Sequence, residues 1–150
     1  MILFDELYER FRRQHADIAQ AVEGLPLEAL DWVPGAEMNS INVLVAHSLG
    51  AVRRLIGDVA LGEPSNEGRE EEFTTRGLSA DEVKRRLASA DEFLRNALPR
   101  ISVSDLDVIR TTHHNEQRSV AWTLLHALEH TGQHLGHIQI TRQLWEQKSK

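Results

Sequence analysis

Residues 119–145 read SVAWTLLHALEHTGQHLGHIQITRQLW, a stretch with the pattern of one long helix that carries four of the chain's eight histidines. They are His126, His130, His134 and His137. Histidines spaced four residues apart lie on one face of a helix. Stacked neutral imidazoles pack poorly unless a partner accepts their lone pairs, which a divalent metal ion does. The stretch therefore predicts a helix that binds a metal ion.

The histidine face of this helix is expected to point inward. On a helical wheel the four histidines fall within about 80° of arc, beside an apolar face made of Leu124, Leu128, Leu135 and Ile138. The opposite side holds glutamate, glycine and glutamine residues. The imidazoles then border the core of the protein, where they can meet a ligand from another helix.

Apolar residues that recur at spacings of three and four predict three more amphipathic helices. The first helix ends near Gly24, and its stripe is Leu3, Leu7, Phe11, His15, Ile18 and Val22. The stripe of the second is Ile41, Leu44, Ser48, Val52, Leu55 and Val59. The stripe of the third is Val83, Leu87, Ala90, Leu94 and Leu98.

Residues that cap helices precede three of these segments. Asn39 or Ser40 can cap the second helix, and Ser119 can cap the fourth. Ser79 opens the third helix, in a capping box with Glu82. These caps fix where the helices are expected to begin.

Four helices of about 20 to 28 residues, with no convincing strand, favour an all-α fold built as a four-helix bundle. Two connections are long: residues 61–78 between the second and third helices, and 100–118 between the third and fourth. We expect the acidic run in the first connection, and His113 and His114 in the second, to be solvated. The chain of 150 residues and 17.0 kDa suits a single domain, 1–150.

Composition narrows the classes of function. The formal net charge of -6 and the scattered basic residues disfavour nucleic acid as a partner, because affinity for phosphate backbones comes largely from Lys and Arg. The absence of cysteine excludes disulfides, thiolate ligands and a protein thiol nucleophile. No run approaches the roughly 20 apolar residues that span a bilayer, and the first residues do not resemble a signal peptide. We therefore expect a cytoplasmic protein that binds neither nucleic acid nor membranes.

His47 is the histidine best placed to join those of the fourth helix. It lies at the edge of the second helix's stripe, near Leu44 and Ala51, where its side chain can point into a cleft between helices. Three neutral histidines hold Zn²⁺ at about 2.0 to 2.1 Å and leave a fourth position for water or substrate, as in catalytic zinc sites. His15, alone on an apolar face, is expected instead to be a packed core residue.

Three segments resemble a known family: LDWVP at 30–34, NSINVLVAH at 39–47 and LLHALEHTGQHLGH at 124–137. Their residues and spacing resemble the DinB-like family of bacterial four-helix bundles, and the resemblance covers most of the chain. It implies a divalent metal held by a histidine of the second helix and a His-x-x-x-His pair of the fourth. The ligands that it implies are His47, His130 and His134.

The resemblance also bears on the other histidines of the fourth helix. His126 matches a histidine often found one turn before the ligand pair, and is expected as a hydrogen-bonding neighbour or an alternative ligand. We expect His137 to neighbour the ligands or to face the cleft. The family often follows the last ligand with Arg, Gly and Gln, whereas this chain has Leu135, Gly136 and His137. No general acid or base is assigned.

Relatives in this superfamily include metal-dependent transferases and isomerases that use low-molecular-weight thiols such as mycothiol or bacillithiol. The resemblance thus implies an enzyme that acts on a small electrophilic substrate with a thiol cosubstrate, the metal lowering the pKa of the thiol. We expect zinc as the metal, with nickel, iron and manganese as alternatives, because imidazole suits several of these ions.

Two other classes of function stay open. A metal-dependent hydrolase would activate water at the open coordination position and would need no thiol. A non-catalytic protein of the stress response would bind a metal or small molecule without turnover. In each case the resemblance implies a homodimer.

Overall fold

The computed structural model describes residues 2–65, 68–148 and 150. In chain order its elements are α1 (Ile2–Val22), α2 (Leu27–Leu30), α3 (Ile41–Val52), α4 (Arg69–Glu72), α5 (Ala80–Ala97), β1 (Ile109–Thr111), β2 (Gln117–Ser119) and α6 (Val120–Lys148). A π-helical segment, Arg53–Ala60, continues α3, and 3₁₀ turns lie at Leu98–Arg100 and Val103–Asp105. The predicted all-α four-helix bundle is confirmed, with α1, α3, α5 and α6 as its long helices. Within the described ranges, no helix is long and apolar enough to cross a bilayer.

The four long helices form a ring in the order α1, α6, α3, α5. One core cluster joins the N-terminal halves of α1 and α6 to the C-terminal ends of α3 and α5. It follows that α1 and α6 run in one direction and that α3 and α5 run in the other. Because the successive helices α3 and α5 are parallel, the chain must return along the bundle between them, which explains the long connection there.

The core divides into two apolar clusters, one toward each end of the bundle. The first includes Phe11, Ile56, Leu94 and Leu124, and the second includes Ile18, Leu44, Val83 and Ile138. The middle of α3 and of α6, where the predicted ligands lie, falls between the two clusters. The apolar clusters hold the helices rigidly on both sides of this polar layer.

The predicted helix starts and stripes agree with the structure except at the beginning of α1. The hydroxyls of Ser40, Ser79 and Ser119 accept hydrogen bonds from the backbone N–H groups three residues later. Leu3, predicted in the stripe of the first helix, is 51% exposed, whereas Phe4 is 5% exposed. Both residues lie within one turn of Leu7, and packing at the bundle end selects the aromatic ring.

The expectation of no convincing strand is wrong for the connection before α6, which contains two short paired strands. β1 and β2 pair as an antiparallel hairpin in which Arg110 lies opposite Arg118. Asn115, with a φ of 59°, supplies the left-handed residue of its turn, a conformation in which asparagine is enriched. The hairpin brings the turn between the strands toward α3 and α6.

Replacing Phe11 with alanine tests the core. Phe11 is fully buried in the first apolar cluster, so we expect its loss to lower the free energy of unfolding by about 3–5 kcal/mol. Urea denaturation followed by circular dichroism measures this change. Leu3→Ala is the matched control, since the exposed side chain should cost under about 0.5 kcal/mol. Equal losses in the two variants would contradict the observed register of α1.

Candidate metal centre

Three imidazoles from two helices converge between the apolar clusters. His47 comes from α3, and His130 and His134 come from successive turns of α6. The Nε2 atom of His130 lies 3.1 Å from Nε2 of His47 and 3.2 Å from Nε2 of His134. One ligand atom from each histidine lies within 4.8 Å of the other two, so the group could hold a metal ion. The structure thus brings together the three residues that the sequence singled out as ligands.

The donor set fits a tetrahedral metal. Two nitrogens that bind one zinc ion at about 2.0 to 2.1 Å in tetrahedral geometry lie about 3.3 to 3.4 Å apart. The observed Nε2 separations of 3.1 and 3.2 Å are close to this value. When two such nitrogens each direct a lone pair at the other they repel, and a shared cation turns this repulsion into attraction.

The electrostatics of the group favour neutral histidines. Burial, and then the neighbouring His134 and His47, lower the pKa of His130 to about 3. Burial, and then His47 and His137, lower the pKa of His134 to about 4. Both imidazoles are therefore neutral at pH 7, and a neutral imidazole has one ring nitrogen free to bind a metal.

A buried carboxylate orients the third histidine. Glu72, at the end of α4, lies with its Oε2 3.0 Å from Nδ1 of His47. Burial would raise the pKa of this carboxyl, but hydrogen bonds from His47 and Arg54 outweigh burial and lower that pKa. An ionised carboxylate can only accept, so Nδ1 of His47 carries the proton and donates it. In the neutral imidazole, Nε2 then presents its lone pair to His130 and His134, an arrangement common around protein metals.

Arg54 lies in the π-helical segment and contacts Glu72. Its Nη2 donates to Oε2 of Glu72 at 3.0 Å, and its Nη1 donates to Oε1. The guanidinium and the carboxylate are both buried, and their bidentate pairing satisfies each charge. Arg54 thereby holds Glu72, which holds His47.

Sequence reasoning missed both Glu72 and Arg54. The acidic run of residues 70–72 was expected to be solvated, and this is wrong for its third member. Glu70 and Glu71 are exposed, whereas Glu72 is buried against α3. The signal present in the sequence was an arginine on a helix otherwise rich in apolar residues, which calls for a buried acidic partner.

The other histidines lie at different distances from the group. His126 is half-buried, stacks on Trp122 with ring centroids 4.5 Å apart, and lies 6.1 Å from the ring of His130. His137 is exposed, with its Nδ1 3.4 Å from that of His134. His15 is buried as expected, and its Nδ1 lies 2.6 Å from Oδ1 of Asp91.

A cavity of about 150 Å³ adjoins the imidazoles of His47 and His130. Its walls come from α3, α4, α6 and the hairpin turn. His113 and His114, expected to be only solvated, are exposed to solvent but also line this cavity. A small molecule in the cavity would therefore lie beside the group of three histidines.

Gly50 tests the contact between Glu72 and His47. A Cβ atom at this position would lie 2.6 Å from Cδ of Glu72, closer still to Oε1, and 3.2 Å from Nη1 of Arg54. We expect Gly50→Ala to push the carboxylate from His47 and to weaken zinc binding about 10-fold or more, measured by competition with a chelating dye. Gly136→Ala is the control, because nothing lies within 4 Å of its added Cβ. Unchanged zinc affinity in Gly50→Ala would contradict the role given to Glu72.

Comparison with known proteins identifies the family. The sequence profile of the DinB superfamily matches residues 10–138. The chain belongs to the DinB superfamily. A crystal structure of a conserved protein from Enterococcus faecalis has the same fold, with a TM-score of 0.76 and 15% sequence identity. The match covers 93% of this chain and 95% of that one. No curated protein matches the sequence. The resemblance to DinB-like bundles is therefore confirmed.

Proposed function

We propose that this DinB-superfamily protein is a metal-dependent enzyme that transfers a low-molecular-weight thiol to a small electrophile, or isomerises one with the help of such a thiol. The observation that carries the proposal is the convergence of three imidazole nitrogens beside a cavity. Three protein ligands leave a coordination position open, which distinguishes catalytic from structural sites. His47, His130 and His134 would hold the ion, and zinc is the ion that we propose.

The residues around the metal centre have different roles. When bound, the metal supplies a Lewis acid that favours the thiolate form of a thiol. Glu72 fixes the tautomer of His47, and Arg54 keeps Glu72 in place.

The lack of cysteine is compatible with an external thiol. A chain without cysteine cannot supply a protein thiolate, so thiol chemistry at this site requires a cosubstrate. The thiolate sulfur would form a bond to the electrophilic carbon, and the leaving group would depart with the electron pair of the bond that breaks. The proton of the thiol would go to solvent.

A transfer assay tests the proposal. Zinc-loaded protein is incubated with chlorodinitrobenzene and, in separate reactions, glutathione, bacillithiol or mycothiol. We expect thioether formation that disappears on addition of a chelator and in the His130→Ala variant, with Gly136→Ala as the control because it lies on the same helix and nothing lies within 4 Å of its added Cβ. Turnover of ester substrates in thiol-free buffer would instead identify a hydrolase. Tight metal binding without turnover of any substrate would point to a binding protein.

We also propose that the chain forms a homodimer. Large apolar side chains are exposed on α6, where Leu125 is 66% and Ile140 is 50% exposed. The family resemblance motivates this proposal, and these two side chains are candidates for the interface. Sedimentation velocity should give twice the 17.0 kDa mass of the chain, and a monomer at micromolar concentration would contradict the proposal.

A further inference from the structure

Arg69 places a positive charge in the cavity beside the candidate metal centre, and no acidic side chain among the described residues pairs with it. Among the groups that line it, Arg54 is neutralised by Glu72, and Glu116 lies 3.2 Å from Arg118. Arg69 lines the same cavity and makes no ion pair with any residue in the described part of the chain. The bound ion would add positive charge, because its three ligands are neutral. The cavity therefore has an excess of positive charge.

Arg69 is held close to the group of three histidines. Its guanidinium carbon lies 5.3 Å from the centre of the Phe73 ring, and that ring lies 4.9 Å from the ring of His47. Stacking on an aromatic face orients an arginine without satisfying its hydrogen-bond donors. These donors remain available to a ligand that enters the cavity.

His113, which also lines the cavity, is affected by the charge of Arg69. Burial, and then His114, Arg54 and Arg69, lower the pKa of His113, and Asp58 acts in the opposite direction. Arg69 therefore acts electrostatically on the hairpin side of the cavity as well as on the side of α4. An anion bound there would relieve the repulsion among these groups.

Part of the remaining wall is aliphatic or aromatic. Ala51 and Leu55 contribute aliphatic surface, and the indole of Trp122 is stacked on His126 at an interplanar angle of 16°. The guanidinium carbon of Arg118 lies 4.8 Å from the centre of the Trp122 ring, a cation–π contact that helps to orient the indole. A cavity of about 150 Å³ accepts a group the size of benzene. Its lining thus suits a small molecule with a flat or apolar body and one negative charge.

We propose that this cavity binds small monocarboxylates with an apolar body, and that Arg69 is the residue that pairs with their carboxylate. The inference rests on the proposed function in taking this cavity as the substrate site, and it names the class of substrate. A single unpaired guanidinium matches one carboxylate, which it can bind through two parallel hydrogen bonds. A dianionic phosphate would call for more than one free cation.

Isothermal titration calorimetry with benzoate and its neutral analogue benzamide tests this inference. The titrations use zinc-loaded protein and protein dialysed against a chelator, with the wild type, Arg69→Gln and Arg69→Lys. Arg13→Gln is the matched control, because Arg13 is exposed on α1 and does not line the cavity. Circular dichroism establishes that each variant is folded.

We expect the wild type to bind benzoate about 10-fold or more tightly than benzamide, with or without zinc. Arg69→Gln should abolish this preference, Arg69→Lys should keep part of it, and Arg13→Gln should keep all of it. Equal binding of the two probes, or no binding of benzoate at millimolar concentration, would overturn the inference. A preference for benzoate that requires zinc and persists in Arg69→Gln would also overturn the inference, because the carboxylate would then bind the metal ion.

Failure of this inference and failure of the proposed function would give different experimental results. If the protein takes up no metal but shows a preference for benzoate that depends on Arg69, the proposed enzyme is wrong and the carboxylate site stands. If it takes up metal and transfers thiols without that preference, the enzyme stands and the carboxylate site is wrong.

Discussion

Zinc binding should weaken by more than about 100-fold when His130 is replaced with alanine. The Nε2 of His130 lies within 3.2 Å of the corresponding atoms of both His47 and His134. Removal of this nitrogen leaves two ligands, one on each helix. Loss of an outer hydrogen-bonding partner alone costs about 10- to 100-fold in metal affinity, and loss of a ligand should cost more.

Elemental analysis and competition with a chelating dye measure this effect on protein purified without a nickel column. The wild type should contain about one metal per chain, and the variant should contain almost none. His126→Ala is the matched control, since its ring lies 6.1 Å from that of His130 and outside the group of three. Equal loss of metal from both variants would show that His126 is a ligand, as the sequence left open. A wild type that takes up neither zinc nor nickel would contradict the metal centre itself.

The fold and the histidine face of the fourth helix could be predicted because the information that specifies them is local. The choice of His130 and His134 over His126, also four residues from His130, came from the resemblance to the DinB-like family. A period of three and four residues identifies each long helix, and the spacing of His130 and His134 places their imidazoles one turn apart. His47 could be added as a candidate ligand because it lies at the edge of the apolar stripe of the second helix. None of these steps depends on knowing how the helices pack.

Glu72 and Arg54 could not be paired in this way. Three consecutive glutamates stand at 70–72, and the sequence gives no reason to prefer the third. Only the packing of α4 on α3 buries Glu72 and leaves its neighbours in water. Tertiary structure therefore decides which of these chemically identical glutamates pairs with Arg54. The two partners are 18 residues apart in the sequence.

The hairpin before α6 escaped prediction for a different reason. Its strands have three residues each, too few to show alternation of apolar and polar side chains. Ile109 is 57% exposed, so even its apolar residue does not mark a buried face. The consequence for the site is large, because this turn carries His113 and His114 to the cavity wall.

Replacing Glu72 with alanine should affect stability and metal binding together. The substitution leaves Arg54 buried without its partner, which should lower the free energy of unfolding by about 3–5 kcal/mol. It also frees the tautomer of His47, which should weaken zinc binding by about 10- to 100-fold. Urea denaturation in the presence of a chelator measures the first effect, and competition with a chelating dye measures the second.

Two further variants separate the effects of charge burial from those on the metal. Glu71→Ala is the matched control, because Glu71 lies on the same short helix and is exposed. It should change neither quantity. In the double variant Arg54→Leu and Glu72→Leu, no charge is left unpaired, so stability should largely recover. Zinc affinity should stay low, because nothing holds the Nδ1 proton of His47. If zinc affinity recovered with stability, Glu72 would act only through the fold, and its role in orienting His47 would be wrong.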